Sequence, residues 1–245
     1  MAKRKSVNGE NGALIPFKEN LPDGMSKEEW EKMIREDLNR TMHGVIPRLS
    51  QIKILHAGAL MFKFPDGGNK NYFDGIIVDH HPCNAYWEKS FQESGKGNPP
   101  NCSSLDGING TVYGKCGKCA FNQFGSDKKG SGKACKNMKR IHILLENESL
   151  PVRLTLPPTS IGVTDEFFTG LFSKGFPVMC KMVRFSLIPA QSSTGIDFSK
   201  IHLDVMGQIE IPKYLQIRKM VEEYLTQIRG QEIVADEYFE ETKED

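Results

Sequence analysis

The hydrophobic positions of the chain change period several times, and each change marks an element. Trp30, Met33, Ile34, Leu38 and Met42 fall at i, i+3, i+4, i+8 and i+12, as on one face of a helix. Ser26 stands just ahead of them with Glu29 three residues on, which predicts a capping box at the helix start. From residue 50 the period falls to two. Residues 51–55, 60–64 and 72–78 read as strands, with Pro65-Asp66-Gly67-Gly68 turning the second into the third. Residues 84–89 read as a further short strand and 92–101 as a loop. Alternation resumes at 140–145 and 152–156, where Pro157-Pro158 closes the strand. A helix is expected over 164–175, capped by Thr164, apolar at Phe167, Phe168, Leu171 and Phe172, and stopped by Gly175. Strands follow at 178–189 and 200–209. A last helix runs from Pro212 to Gly230 with Ile217, Val221, Tyr224, Leu225 and Ile228 along one side.

This pattern predicts a mainly β fold with flanking helices, of the kind built on a five-stranded Greek-key oligonucleotide-binding (OB-like) barrel. The strands outnumber five, so extra hairpins elaborate it. Residues 1–25 read as a flexible basic arm, because Lys3, Arg4 and Lys5 are followed by no periodic run. Residues 26–229 form the OB-like domain and 230–245 an acidic tail too polar to pack alone. The 245 residues suffice for a substantial core. No apolar run approaches the span of a bilayer and no signal peptide is recognisable, so a soluble chain with reduced thiols in the cytoplasm is expected.

Composition changes the picture at the interruption between the strands. Four of the six cysteines fall at Cys102, Cys116, Cys119 and Cys135, and the central Cys-Gly-Lys-Cys lets two thiolates from one turn reach a single ion. A close pair plus two outer cysteines completes the sulfur tetrahedron that Zn2+ prefers in structural sites. An iron–sulfur cluster is the alternative that spacing leaves open. A redox dithiol fits less well, since no strand-then-helix pattern places Cys116 at a helix N-terminus. His80, His81 and Cys83 form a second group, able to replace an outer cysteine. The insertion, at about 98–140, is rich in glycine and poor in large aliphatic residues, so a bound ion must supply the free energy that orders it.

The net charge of +1 hides a strong asymmetry. Residues 102–140 carry eight basic side chains, Lys115, Lys118, Lys128, Lys129, Lys133, Lys136, Lys139 and Arg140, against Asp106 and Asp127. Tyr113, Phe121 and Phe124 are set among them. Cations that track phosphates, interleaved with rings that stack on bases, suit a single strand of nucleic acid. Tyr72, Tyr86 and Trp87 on the strands are further candidates for stacking. Adjacent strand residues face opposite ways, so at most one of Tyr86 and Trp87 belongs to the core. Residues 232–245 reverse the sign, with seven acidic side chains and one basic.

The runs NCSSLDG, CGKCAFNQFGS, GKACKNMKRIHIL and LPVRLTLPPTS resemble those of single-stranded-DNA-binding proteins of tailed bacteriophages and related mobile elements. The resemblance covers roughly residues 50–210 and is most specific at the cysteines. It implies an oligonucleotide-binding barrel with a metal-binding insertion, acting in phage replication or recombination in the bacterial host cytoplasm. Other phage proteins of this function hold zinc with a histidine among the ligands, where this chain has a fourth cysteine. The implied protein is not an enzyme. Its partners are single-stranded DNA, replication or recombination proteins recruited by the acidic tail, no membrane, and a possible second copy of itself. Two other classes compete. A metal-dependent nuclease would need carboxylates such as Asp74, Asp79 and Asp204 to converge, and an adaptor would use a zinc-containing module to bind protein.

Overall fold

The computed structural model describes residues 21–41, 43, 45, 48–55, 59–89, 98–128, 130–146, 148, 150–192, 195 and 197–234. The tip of the expected basic arm, at 1–20, and the tail beyond Val234 lie outside them. Two compact units divide the chain, Met1–Ile46 with Asn147–Ser149, and Pro47–Glu146 with Leu150–Asp245.

The first unit contains helix α1, Lys27–Thr41. Its start follows the sequence closely. The Ser26 hydroxyl accepts from the Glu29 amide at 3.2 Å, and the Glu29 carboxylate accepts from the Ser26 amide at 3.0 Å. These are the reciprocal bonds of a capping box, and they satisfy two main-chain donors that the helix leaves open.

The second unit is mainly β, a strongly curled sheet that forms a half-barrel. Its strands are β1 (Gln51–Ile54), β2 (Phe62–Lys63), β3 (Asn69–Lys70), β4 (Tyr72–Tyr86), β5 (Cys102–Ser104), β8 (Lys136–Leu144), β9 (Val152–Leu156), β10 (Lys181–Gln191) and β11 (Asp197–Gln208). The order is β11-β10-β4-β8-β9-β1-β2-β3, with β5 added beside the far end of β4. A separate ribbon pairs β6 (Asn109–Gly110) with β7 (Gly114–Lys115). All pairings are antiparallel except β1 with β9. Phe62, Phe73, Ile77, Ile141, Ile143, Leu154, Phe185 and Ile201 fill the concave core, and Phe167 and Phe168 of helix α2 (Pro158–Ser173) pack against it. Gly75 is required there, because a Cβ on it would meet Ile143 Cγ2 at 2.4 Å.

Three elements depart from the sequence reading. The strands expected at 72–78 and 84–89 are one strand, β4. The polar run Asp79-His80-His81-Pro82 lies inside it, where a bulge between Ile77 and Asp79 shifts the register against β8. Helix α2 spans Pro158–Ser173, starting six residues before the expected Thr164 cap. Pro158 begins the helix because a proline lacks only an amide that the first turn cannot use. Thr164 is instead internal, its hydroxyl donating to the Ser160 carbonyl at 2.7 Å.

The third correction concerns the C-terminus. Helix α3, Ile211–Arg229, lays Ile217 and Val221 on Ile76, Val78 and Leu144. The chain then continues as a strap along the same face of the sheet. Arg140 donates to the carbonyls of Gln231 and Glu232 at 2.6 and 2.9 Å, and Arg153 to the Gln231 side chain at 2.9 Å. Ile233 is buried against Cys83, Ala85 and Met138. Residues 231–233, expected to start a solvated tail, are therefore part of the fold. The sheet supplies the partners that their own sequence lacks.

Candidate metal centre and nucleic-acid surface

Three segments bring the four cysteines together. Cys102 opens β5, paired through Tyr86 to the end of β4. Cys116 follows β7 and begins a 3-10 turn of residues 116–118, which returns Cys119 so that its amide reaches the Cys116 carbonyl at 3.3 Å. Cys135 immediately precedes β8, and its amide donates to the Phe121 carbonyl at 2.8 Å. Asp106 organises the approach, accepting from the amides of Ile108 and Asn109 at 2.7 and 2.8 Å. Those bonds hold its carboxyl well below the usual carboxylate range. Asn122 and Gln123 tie down the turn from outside, donating to the carbonyls of Cys116, Gly117 and Cys119.

The four cysteines line one cavity of about 10 Å³, the room of roughly one water molecule. Gly110 is part of its wall. A Cβ there would lie 3.0 Å from Cys102 Sγ and 3.9 Å from Cys116 Sγ, so the missing side chain leaves the sulfurs their space. Burial, together with the neighbouring Cys116, Cys119 and Cys102, pushes the Cys135 thiol up to about 12. Four thiols crowded in this way ionise together only if a cation neutralises them. The donor set and the size of the cavity fit one thiophilic ion.

The aromatic residues around the cavity divide into two kinds. Tyr86 and Phe121 stack on each other at 4.1 Å and pack against Cys102 and Cys135. Tyr113 leans on Phe121 at 5.0 Å but stays exposed. Phe124 is 82% exposed, with the Lys133 ammonium 5.0 Å from its ring. Trp87 is half-buried beside Ile233, its indole donating to the Asn98 carbonyl at 3.2 Å. Tyr72 is exposed, at another end of β4, with the Arg184 guanidinium 4.5 Å above it.

The basic residues divide in the same way. Lys115, Lys118 and Lys128 are exposed on the insertion, and Lys136 pairs with Asp127 at 3.5 Å. Lys129 lies outside the described residues. Lys139 and Arg140 were expected to face phosphates, yet both are buried. Lys139 pairs with Asp165 of α2 and lies over Phe168, and Arg140 holds the strap. Their strand alternates across a sheet covered on both faces, which turns one toward α2 and the other toward the C-terminus.

His80, His81 and Cys83, the expected substitutes for an outer cysteine, stand on β4 away from the cavity lining. Cys83 is buried under Ile233 and His80 stacks on Phe168 at 4.0 Å. His81 belongs to a group that the sequence reading missed. Asp79, His81 and His142 bring one potential ligand atom each within 4.8 Å of one another. Among the described residues this triad meets that spacing, whereas the cysteine sulfurs surround their cavity more widely. The clue in sequence was a polar triplet inside an apolar strand, with a histidine inside the apolar run RIHILL.

The acidic residues of the nuclease alternative do not gather. Asp74 is held by Arg184 through bonds of 2.7 and 2.8 Å, Asp79 by Arg229, and Asp204 by His202 at 3.1 Å. Among the described residues no helix is long and apolar enough to cross a membrane. No protein-family model, curated protein or solved structure matches the chain.

Proposed function

We propose that the chain is a non-catalytic single-stranded-DNA-binding protein of phage replication or recombination, whose half-barrel is an OB-like fold and whose insertion is a zinc knuckle. In this reading Cys102, Cys116, Cys119 and Cys135 hold Zn2+ and stiffen the insertion. A single ion suits the cavity better than a cluster of several irons and sulfides. The observation that supports the reading best is Phe124, an exposed ring with the Lys133 ammonium over one face and the other open. An exposed phenylalanine finds no stabilisation in water, whereas an unpaired base stacks on it with about 1–3 kcal/mol. Tyr113 offers a second ring, and Lys115, Lys118, Lys128 and Lys133 supply charge. The acidic tail beyond the strap imitates a run of phosphates, competes for the same cations when DNA is absent, and recruits replication partners once displaced.

Titration of labelled single-stranded and duplex oligonucleotides across a salt series tests this, with metal content measured on the same sample. We expect preference for the single strand and a log–log salt slope of about −2, the value for about three phosphates neutralised on a flexible strand. Phe124→Ala should weaken binding about tenfold without changing the slope, and Lys118→Ala should reduce the slope by about 0.7. Absence of salt-dependent binding favours a protein-binding adaptor. Cleavage of the oligonucleotide with magnesium or manganese favours a nuclease.

A further inference from the structure

We infer a second metal site, for a tetrahedral divalent ion of the Zn2+ class, at Asp79, His81 and His142. Asp79 and His81 are two residues apart on β4, and the bulge sets Asp79 directly opposite His142 of β8. All three side chains therefore share the face covered by the end of α3 and the strap.

Three observations support it independently of the cysteines. The first is spacing. Asp79 Oδ2 lies 3.2 Å from His142 Nδ1 and 3.5 Å from His81 Nδ1. An ion bound tetrahedrally at about 2.0–2.1 Å by nitrogen and oxygen sets its ligands about 3.3–3.4 Å apart. Two edges of one face of that tetrahedron are thus close to their bound length, and the third, between the two imidazoles, lies within 4.8 Å.

The second observation is an unanswered polar group. His81 is 95% buried. Its Nδ1 meets Asp79 Oδ2 only at 3.5 Å, outside hydrogen-bond geometry, and its Nε2 has no hydrogen-bond partner. A buried imidazole without a hydrogen bond is costly, and coordination through Nδ1 gives that nitrogen a full partner.

The third is the support of the carboxylate. Arg229 grips Asp79 from the end of α3, through Nε to Oδ2 at 3.0 Å and Nη2 to Oδ1. A carboxylate has about four lone-pair directions; Arg229 takes two and the His142 imidazole a third, on Oδ2, and it is this last contact that a bound ion would replace. Outer partners of this kind orient metal-binding carboxylates. The guanidinium charge works against a cation, so this site should bind more weakly than four thiolates. Three protein ligands leave the fourth corner to water.

The site needs no assumption about DNA, and its test separates it from the knuckle. Zinc content and zinc X-ray absorption are measured on the full chain, saturated with zinc and then desalted. We expect two zinc ions per chain with an average of about two sulfurs per ion, one site having four and the other none. Cys116→Ser with Cys119→Ser should remove the sulfur-bound ion and keep one bound by nitrogen and oxygen. His81→Gln should do the reverse. A single ion per chain with about four sulfurs, or a metal content indifferent to His81→Gln, overturns the inference. A single ion without sulfur supports it while overturning the knuckle. The unaltered chain decides the question alone if a variant fails to fold.

Discussion

At the scale of single residues, the same side-chain type takes opposite roles according to what the neighbouring strand presents. Asp74 shows this without any metal. It stands opposite Arg184 in the pairing of β4 with β10, and the two bonds from that guanidinium hold its carboxyl below the ordinary range. A carboxylate whose folded pKa is depressed adds stability above its unfolded value of about 3.9, and that stability is lost as pH falls below it. The pair is more than one-third exposed, so solvent screening keeps the effect small. Asp74→Asn should lower the urea midpoint by roughly 0.2 M at pH 7, and the difference from the unaltered chain should fade below about pH 4. An effect that persists undiminished at pH 3 would mean that packing, not charge, is what the substitution removes.

Lys139, Arg140 and Phe121 show what local sequence conceals at this scale. They are the same kinds of side chain as Lys115, Lys118 and Phe124, yet Lys139 and Arg140 are buried and Phe121 half-buried, while the second group is exposed. The partners that make the difference are Asp165, Gln231 and Tyr86. They lie 26, 91 and 35 residues away along the chain, beyond the reach of any window that reads periodicity.

Elements were legible where their signals are local. The capping box fixed the start of α1 and alternation placed β9 over the residues expected. The Pro65–Gly68 turn was placed correctly but returns the chain as β3, a short strand ahead of the one expected at 72–78. β4 was misread because a run of Asp, His, His and Pro resembles a loop, and only β8, α3 and the strap make it a buried strand. The strap was missed for the converse reason, since its stabilisation comes from bonds to Arg140 and Arg153 and from one isoleucine. Two truncations separate it from the charged tail. Ending the chain at Val234 should leave thermal stability unchanged and tighten oligonucleotide binding at low salt, where screening is weakest. Ending it at Gly230 also removes Ile233 and acceptors of two buried guanidinium groups, at a cost of about 3 kcal/mol or more. Equal melting temperatures for the two truncated chains would show that the strap contributes nothing to the fold.

For the molecule as a whole, the proposed zinc knuckle implies that the apolar core and the sulfur-lined insertion depend on different sources of free energy. The cluster around Phe73, Ile141, Leu154 and Phe185 is continuous across β4, β8, β9 and β10 and includes none of the four cysteines. The insertion has strands of two or three residues, short 3-10 turns and, around its cavity, only the small cluster of Tyr86, Phe121, Cys102 and Cys135. Removing metal should therefore not unfold the protein in one step. Hydrogen exchange followed by mass spectrometry, with and without a strong chelator, gives the comparison. Peptides from residues 102–135 should exchange at least tenfold faster once metal is removed, as expected where binding supplies the folding free energy. Peptides from β9 and β10 should keep their protection, because their burial is complete without it. Loss of protection across the entire sheet would mean that the ion stabilises the half-barrel itself, and unchanged exchange in the insertion would mean that hydrogen bonds such as those of Asp106 and Asn122 hold the knuckle without any ion.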